Sequence, residues 1–333
     1  MKRITLLMAI FFGTLTWAQS NINDLLAAGI NDAQRFTNDY LAPVSEGAIY
    51  SISGSWYNTA DAKPLGGFEI SIIGNLTGFK NKDDKKAFTL NTADYENLQF
   101  TDGSTSKLVS TALGDIEGID VIVTDGNVVS EIFELPSGLA SEDFNFLPSG
   151  YLQASVGLIK GTELKARFLP KINTDDASIS LYGFGIQHDF TKHLPADKIL
   201  PVAISAVIGY THFDGSYDFT DTSVVAGQDQ RIEMDINSWV FQAVVSTRLP
   251  VINFYGGLGY LTGKSETDVL GTYVVTSGPF QTTYTDPFSV SADASGVTAN
   301  IGTKLKLGFF RLHADYTIAE FNNLSVGINF GFR

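Results

Sequence analysis

Residues 323–333 constrain what this chain can fold into more than any other stretch. Leu324, Val326, Ile328, Phe330 and Phe332 alternate there with Ser325, Gly327, Asn329, Gly331 and Arg333, the period of two of a strand with one apolar and one small or polar face. In a soluble sandwich the apolar face would meet a second sheet. Glycines and an asparagine opposite it point instead to a wall one residue thick, with lipid on one side and a lumen on the other.

The pattern recurs from Tyr151 onward. Ile204, Ile208 and Tyr210 share a face, as do Trp239, Phe241 and Val245, then Phe254, Leu258 and Tyr260, then Val297, Ile301 and Leu307. Opposite faces carry Asn253, Gly257, Asn300, Lys304, Lys306, Arg311, His313 and Asp315. Apolar out and polar in is the alternation of a membrane barrel, and Tyr210, Trp239 and Tyr260 suit its interfacial girdle. The connections at Lys160-Gly161-Thr162, Leu249-Pro250 and Leu307-Gly308-Phe309 are short, and those at Asp214 to Gln230 and Ser265 to Pro287 are long. Counting back from the end gives nine strands from Tyr151. The region before it is expected to supply three or five more, for an all-β, antiparallel outer-membrane barrel of about twelve to fourteen strands.

Before the barrel the sequence changes character. Lys2 and Arg3, the apolar run Leu6 to Phe12, and the small residues Thr16 and Ala18 form a secretory signal over residues 1–18. No run reaches the roughly 20 apolar residues a membrane-crossing helix needs. Residues 19–62 read as a helix and a plug-like segment, and 63–333 as the barrel. Ile22, Leu25, Leu26, Ile30, Ala33 and Phe36 fall on one helical face, capped by Asn21 and stopped by Pro43. The small residues of Val44 to Ser55, then Trp56-Tyr57-Asn58-Thr59-Ala60, suit backbone threaded through a tight space. Ile22, Leu25, Leu26, Phe36, Trp56 and Asn58 are therefore the candidate plug residues. A trailing periplasmic tether is the competing reading.

Strand Gly67 to Thr77 places Phe68, Ile70, Ile72 and Leu76 on one face, and its partner is expected after the charged loop Lys80 to Lys86. Thr124-Asp125-Gly126-Asn127 is a hairpin signal, since Asp-Gly accepts the positive φ of a type I′ turn. Leu135-Pro136 and Leu147-Pro148 break the chain twice, and Tyr95 to Gly150 reads as irregular strands plus a long surface excursion.

The formal charge of −14 becomes −16 once Lys2 and Arg3 leave with the signal, which excludes a nucleic-acid partner, since that needs a basic surface. With no cysteine there are no disulfides or thiolate metal sites. Neither a cofactor nor a metal is expected. The expected partners are outer-membrane lipid, the barrel assembly machinery and a small hydrophobic ligand. His188, His193, His212 and His313 show no zinc-protease spacing. His212-Phe213-Asp214 with Ser216 can be drawn as a rim hydrolase, but a polar strand end running into an acidic loop accounts for it better. The same holds for Asp214, Asp218, Asp221 and Asp229 as a calcium loop, which lack the ordered ligand spacing. Lys304, Lys306, Arg311 and Asp315 are candidate lumen charges, read as a salt-bridge network rather than a selectivity filter.

The run Gly157 to Lys171 (Gly-Leu-Ile-Lys-Gly-Thr-Glu-Leu-Lys-Ala-Arg-Phe-Leu-Pro-Lys), with Gly183-Phe184-Gly185-Ile186-Gln187-His188-Asp189 and Trp56-Tyr57-Asn58-Thr59-Ala60, resembles a Bacteroidota family of exported proteins of unknown function. More distantly, a plug-like segment ahead of a barrel of this size resembles the FadL-type outer-membrane transporters in architecture, and Asn58-Thr59-Ala60 loosely echoes their plug motif. The resemblance implies a passive channel or transporter for small hydrophobic molecules with an N-terminal hatch. The alternative is a structural or surface-interaction barrel with a filled lumen. An outer-membrane hydrolase is a distant third.

Overall fold

The computed structural model describes residues 22–125, 128–195, 197, 199–219, 227–277 and 280–332. The expected signal peptide, Asn21, the turn residues Gly126 and Asn127, Asp221 and Arg333 lie outside them. Ten antiparallel strands close into a barrel. They are β1 (Phe68–Gly78), β7 (Phe146–Gly157), β8 (Thr162–Asn173), β9 (Ala177–Asp189), β10 (Val202–Asp218), β11 (Gly227–Thr247), β12 (Ile252–Ser277), β14 (Phe288–Leu307), β15 (Phe310–Ile318) and β16 (Asn322–Phe332). Closure comes from β1, which pairs with β16 over its whole length, Phe68 opposite Phe332 and Gly78 opposite Asn322, and with β7 on its other edge. A further strand, β13 (Phe280–Thr285), adds only to the tip of β12.

Nine barrel strands from β7 onward agree with the alternation. The total is ten rather than twelve to fourteen, because the region before Tyr151 contributes β1 and the start of β7 and nothing else. Residues 79–145 leave the wall. Their strands β2 (Ala87–Asn91) and β4 (Ser106–Ser110) form one small sheet, and β3 (Leu98–Phe100), β5 (Asp120–Asp125) and β6 (Val128–Glu134) another. The strand expected to partner β1 after Lys80–Lys86 is β2, and it pairs with β4 instead. The hairpin at Asp125 forms as expected, Asp125 opposite Val128.

Outward residues divide each long strand in two. On β10 exposed Ile204 and Ile208 lead to Tyr210, then His212, Asp214 and Ser216; on β11 Val245 and Phe241 lead to Trp239, then Asn237 and Asp235. Tyr210 lies opposite Trp239, and Tyr260 lies opposite both Phe241 and Val297, so the change from apolar to polar follows one line around the wall. Only lipid covers such a band, and the line is its aromatic edge. No helix among the described residues is long and apolar enough to cross a membrane; the strands cross it. Much of the two expected outer loops is therefore strand, since β10 runs to Asp218, β11 starts at Gly227 and β12 runs to Ser277.

The inner faces of these tips are apolar. Tyr217, Ile232, Val269, Tyr273, Phe288 and Val290 form one core with Leu98, Phe100, Val121 and the N-terminal residues Ile22 to Leu41. Tips, excursion and N-terminus make a cap beyond the membrane. Within it the Asp32 carboxylate accepts from Glu96 N and Asn97 N at 2.8 Å each. Burial, with Glu131 adding to it, pushes the Asp24 carboxyl up to about 6.

The chain enters the barrel from this cap. A helical stretch at residues 22–27 ends at Gly29, whose φ of 98° breaks it. A second helix, Ile30–Ser53, contains Pro43 instead of stopping there. Close to the turn that Pro43 leaves without its backbone bond, Tyr40 O accepts from Ala112 N at 2.9 Å. The half expected to be threaded coil, from Val44, is thus helix down to Ser53. Small residues let it fit: a Cβ on Gly47 would stand 2.8 Å from Leu147 and 3.3 Å from Phe321. Beyond a left-handed Ser55, the chain continues largely extended down the lumen to a turn at Leu65-Gly66 at the short-turn end, where β1 begins.

Two predictions follow from this path. In the cysteine-free chain, Asn31→Cys should react with an impermeant maleimide on intact cells, and Lys160→Cys only after the outer membrane is permeabilised; the opposite labelling would invert the topology. Because the raised Asp24 pKa means that the folded cap holds a proton the unfolded chain loses near 3.8, cap stability should fall as pH rises from there through about 6. Asp24→Asn should flatten that slope in pH-dependent limited proteolysis, and an unchanged slope would remove Asp24 as its source.

Candidate functional site: the plugged lumen and a gap in its wall

An extended chain inside a barrel carries backbone donors and acceptors that no water reaches, and they must be met by the wall. Inward side chains do this residue by residue. Arg167 donates to Ile52 O at 3.0 Å and Gly54 O at 2.5 Å, and Tyr151 to Gly54 O at 2.7 Å. Gln187 donates to Thr59 O at 2.9 Å, while Ser246 Oγ accepts from Ala60 N at 2.9 Å. Asp189 and Glu163 accept from Ala62 N and Lys63 N. Arg167 also caps the carbonyl end of the helix, where its charge is favoured.

Trp56 is the anchor of the plug. It is 1% exposed, and its ring lies 3.6 Å from the Arg167 guanidinium, which also covers Tyr151 at 4.4 Å. Its other side rests on bare backbone. Gly185 and Gly209 face each other across β9 and β10, and a Cβ on either would meet the indole, at 2.7 Å for Gly185 and 2.6 Å from Nε1 for Gly209. The glycines make a flat socket.

At the short-turn end the plug is held by charge. Lys304 Nζ reaches Glu69 Oε2 at 2.8 Å and Asn58 Oδ1 at 2.7 Å, Arg311 reaches Glu69 at 2.8 Å, and Asn58 donates to Glu69 at 2.9 Å. Lys63 and Lys165 share Glu163 at 3.1 and 2.6 Å. Of the four candidate lumen charges, Lys304 and Arg311 meet on Glu69. Lys306 instead donates to Leu249 O at 3.3 Å, and Asp315 is buried farther up, accepting from Tyr255 at 3.0 Å. Of the candidate plug residues, Trp56 and Asn58 are in the lumen. Ile22, Leu25, Leu26 and Phe36 are buried in the cap core instead, because the chain enters from the outer end. Glu163, Lys165 and Arg167 were not among the expected lumen charges, though their alternation with Leu164, Ala166 and Phe168 marks them as inward.

The wall itself is incomplete. β7 pairs with β1 up to Phe146, but its pairing with β8 ends at Leu152 opposite Phe168, while β8 follows β9 through a bulge to Asn173. Leu158 N bonds Thr162 O, so alternation makes Gly150 opposite Pro170 the next bonded pair after Leu152 and Phe168. Pro170 has no N–H to give. Farther along the same edge stands Pro148, also without a donor. The gap opens a cavity of about 620 Å³ that combines lipid-facing Ile72, Leu152 and Val326 with lumen-facing Ile52, Tyr151, Leu181 and Phe213.

The serine drawn with His212 and Asp214 is bonded elsewhere. His212 Nε2 faces Asp214 at 3.0 Å, and Ser216 is bonded to Ser178 at 2.8 Å. His188 and His193 stack on each other at the opposite rim.

Residues 1–332 match a family of unknown function, DUF6588. The chain belongs to this family. No curated protein matches it in sequence. Among solved structures, Ail of Yersinia pestis aligns at a TM-score of 0.25 and 11% identity, over 80% of this chain and 99% of that one. The translocator domain of the autotransporter NalP from Neisseria meningitidis gives 0.26 and 12%, over 86% and 93%. The P. putida toluene transporter TodX gives 0.25 and 8%, over 88% and 93%. The architecture rests on the strand pairing itself.

The socket is tested by size. Gly209→Val should lower stability by roughly 1–3 kcal/mol, the usual range for overpacking, read as the urea midpoint of the folded, heat-modifiable form. Adding Trp56→Leu should return part of the loss, and a Gly209→Val barrel as stable as the parent would mean that the indole does not need the bare wall.

Proposed function

We propose that this protein is an outer-membrane barrel that takes small apolar molecules from the lipid into a pocket between its wall and its plug. The observation that carries the reading is the cavity behind the β7–β8 gap, whose lining runs from side chains that face lipid to Ile52, Leu181 and Phe213, which face the lumen. An apolar route through a wall needs no ordered water and no charged filter, and almost no polar group lines this one. The outer membrane is the bilayer that strand-built walls of this kind occupy, and the leader-like residues 1–18 agree with export. As a hatch the plug does not leave as a body: its backbone and charges are bonded to the wall along its length, so entry involves the side chains around Ile52 and Tyr151.

That same bonding favours a second reading, a structural barrel with a filled lumen. The two differ in whether an apolar molecule reaches Ile52. With full-length protein in liposomes and an alkyl diazirine dissolved in the bilayer, labelling is expected on Ile52 and Leu181 as well as on Ile72. Leu181→Trp should abolish the inner labelling and keep that at Ile72. Labelling confined to Ile72 in the parent protein would leave the structural reading.

A further inference from the structure

A set of metal-ligating groups sits on the outer face of the barrel, above the aromatic line and away from both gap and plug. Asp214 of β10 lies directly opposite Asp235 of β11, a like-charged cross-strand pair that costs stability unless a cation joins it. His212 stands between them, its Nε2 3.0 Å from Asp214 Oδ1 and 3.6 Å from Asp235 Oδ2. One ligand atom from each of the three falls within 4.8 Å of the others.

The neighbours fix what His212 presents. Asn237 donates from Nδ2 to Asp235 Oδ1 at 2.6 Å, so its Oδ1 is the acceptor, and it lies 2.9 Å from His212 Nδ1 and 2.5 Å from the donating Tyr210 hydroxyl. His212 Nδ1 therefore carries the proton. In the neutral ring, Nε2 is then a lone pair facing Asp214 Oδ1 and Asp235 Oδ2, three acceptor atoms with no donor between them. A positive ion between them resolves it, and bonds of about 2.0–2.2 Å from a zinc-type ion span the 3.0 and 3.6 Å from Nε2 to the two carboxylates. Asn237 behind the imidazole and Ser180, which donates to Asp214 Oδ2 at 3.2 Å, are the outer partners that orient such ligands. Tyr182 holds the ring from the side at 4.7 Å. The sequence hid the set because Asp235 joins it only through strand register.

We propose that His212, Asp214 and Asp235 bind one divalent transition-metal ion of the zinc class at the outer rim, with Asn237 as a positioning residue. The test is Zn²⁺ titration by calorimetry of untagged, detergent-folded full-length protein at pH 7.5, with Co²⁺ absorption as a second readout. One equivalent is expected, with a cobalt ligand-field band that His212→Ala and Asp235→Asn each abolish. Asn237→Ala should weaken binding roughly 10–100-fold, the usual cost of losing an orienting partner. Binding unchanged in His188→Ala/His193→Ala would exclude the other histidine pair as its source. The proposal is overturned by the absence of saturable binding, by binding that survives His212→Ala in a barrel shown to be folded, or by an imidazolium signal from His212 at pH 7.5 that Zn²⁺ does not displace. In that last outcome a proton, not a metal, is the cation between the two carboxylates.

Discussion

The structure depends on one mismatch of size. A barrel of about eight strands can be filled by its own inward side chains, and ten strands leave space along the axis. Here that space holds polypeptide, so every peptide group between Ile52 and Lys63 brings a requirement for a partner into a dry tube. This explains the composition of the inner wall. Where the plug is helical and bonded to itself, the wall offers apolar Leu181 and Leu261 with small hydroxyls such as Ser149 and Ser238. Where the plug is extended, the wall offers Arg167, Gln187, Ser205, Asp189 and Glu163. The buried charges of the wall lie at the end of the helix at Ser53 and below it.

Buried charge then fixes the register. Lys63, Lys165, Lys304 and Arg311 converge on Glu69 and Glu163, more cations than carboxylates in a site where each ion pays for its lost water. Apolar substitutes would hold a plug at least as tightly. They would not hold it at one height. Asn58 between Glu69 and Lys304, and Lys63 between Glu69 and Glu163, give the extended segment two fixed points that a sliding strand of small residues otherwise lacks. Arg167 sets the third, closing the helix at Gly54 and pressing Trp56 into its glycine socket.

How much of this was legible follows from what each feature rests on. A period of two survives in the sequence because lipid and lumen alternate residue by residue, so the nine strands from Tyr151 could be counted. β1 could be seen as a strand, but its partners could not, since it closes on β16 across the whole chain while residues 79–145 carry strand-like runs that pair among themselves. Val44 to Ser55 read as coil because Pro43 stops a helix in water; the same proline is tolerated where the surrounding wall and cap confine the chain. Lys304 and Arg311 could be placed inward by alternation, yet their shared partner Glu69 sits on the strand whose neighbours were unknown. The cross-strand pair of Asp214 and Asp235 was hidden differently, by the register of two consecutive strands.

The gap between β7 and β8 is the feature that a closed wall has to explain. Backbone groups left open to lipid cost several kcal/mol each, which is why irregular backbone at membrane depth is confined to places where it lines a cavity. Pro148 and Pro170 lower that cost from both sides, because a residue without an N–H has no donor to strand. Pro170 also prevents the edge from closing, since it occupies the next bonded position after Phe168 and cannot take part. The bulge between Leu169 and Ile172 lets β8 lean towards β9 instead. What is left facing the opening is Ile72, Leu152 and Leu169 on the wall with Ile52 of the plug behind them, a surface that lipid tails and other small apolar molecules wet and that water does not. The opening is therefore stable only while something apolar lies against it, and that requirement ties the plug's Ile52 to the membrane outside.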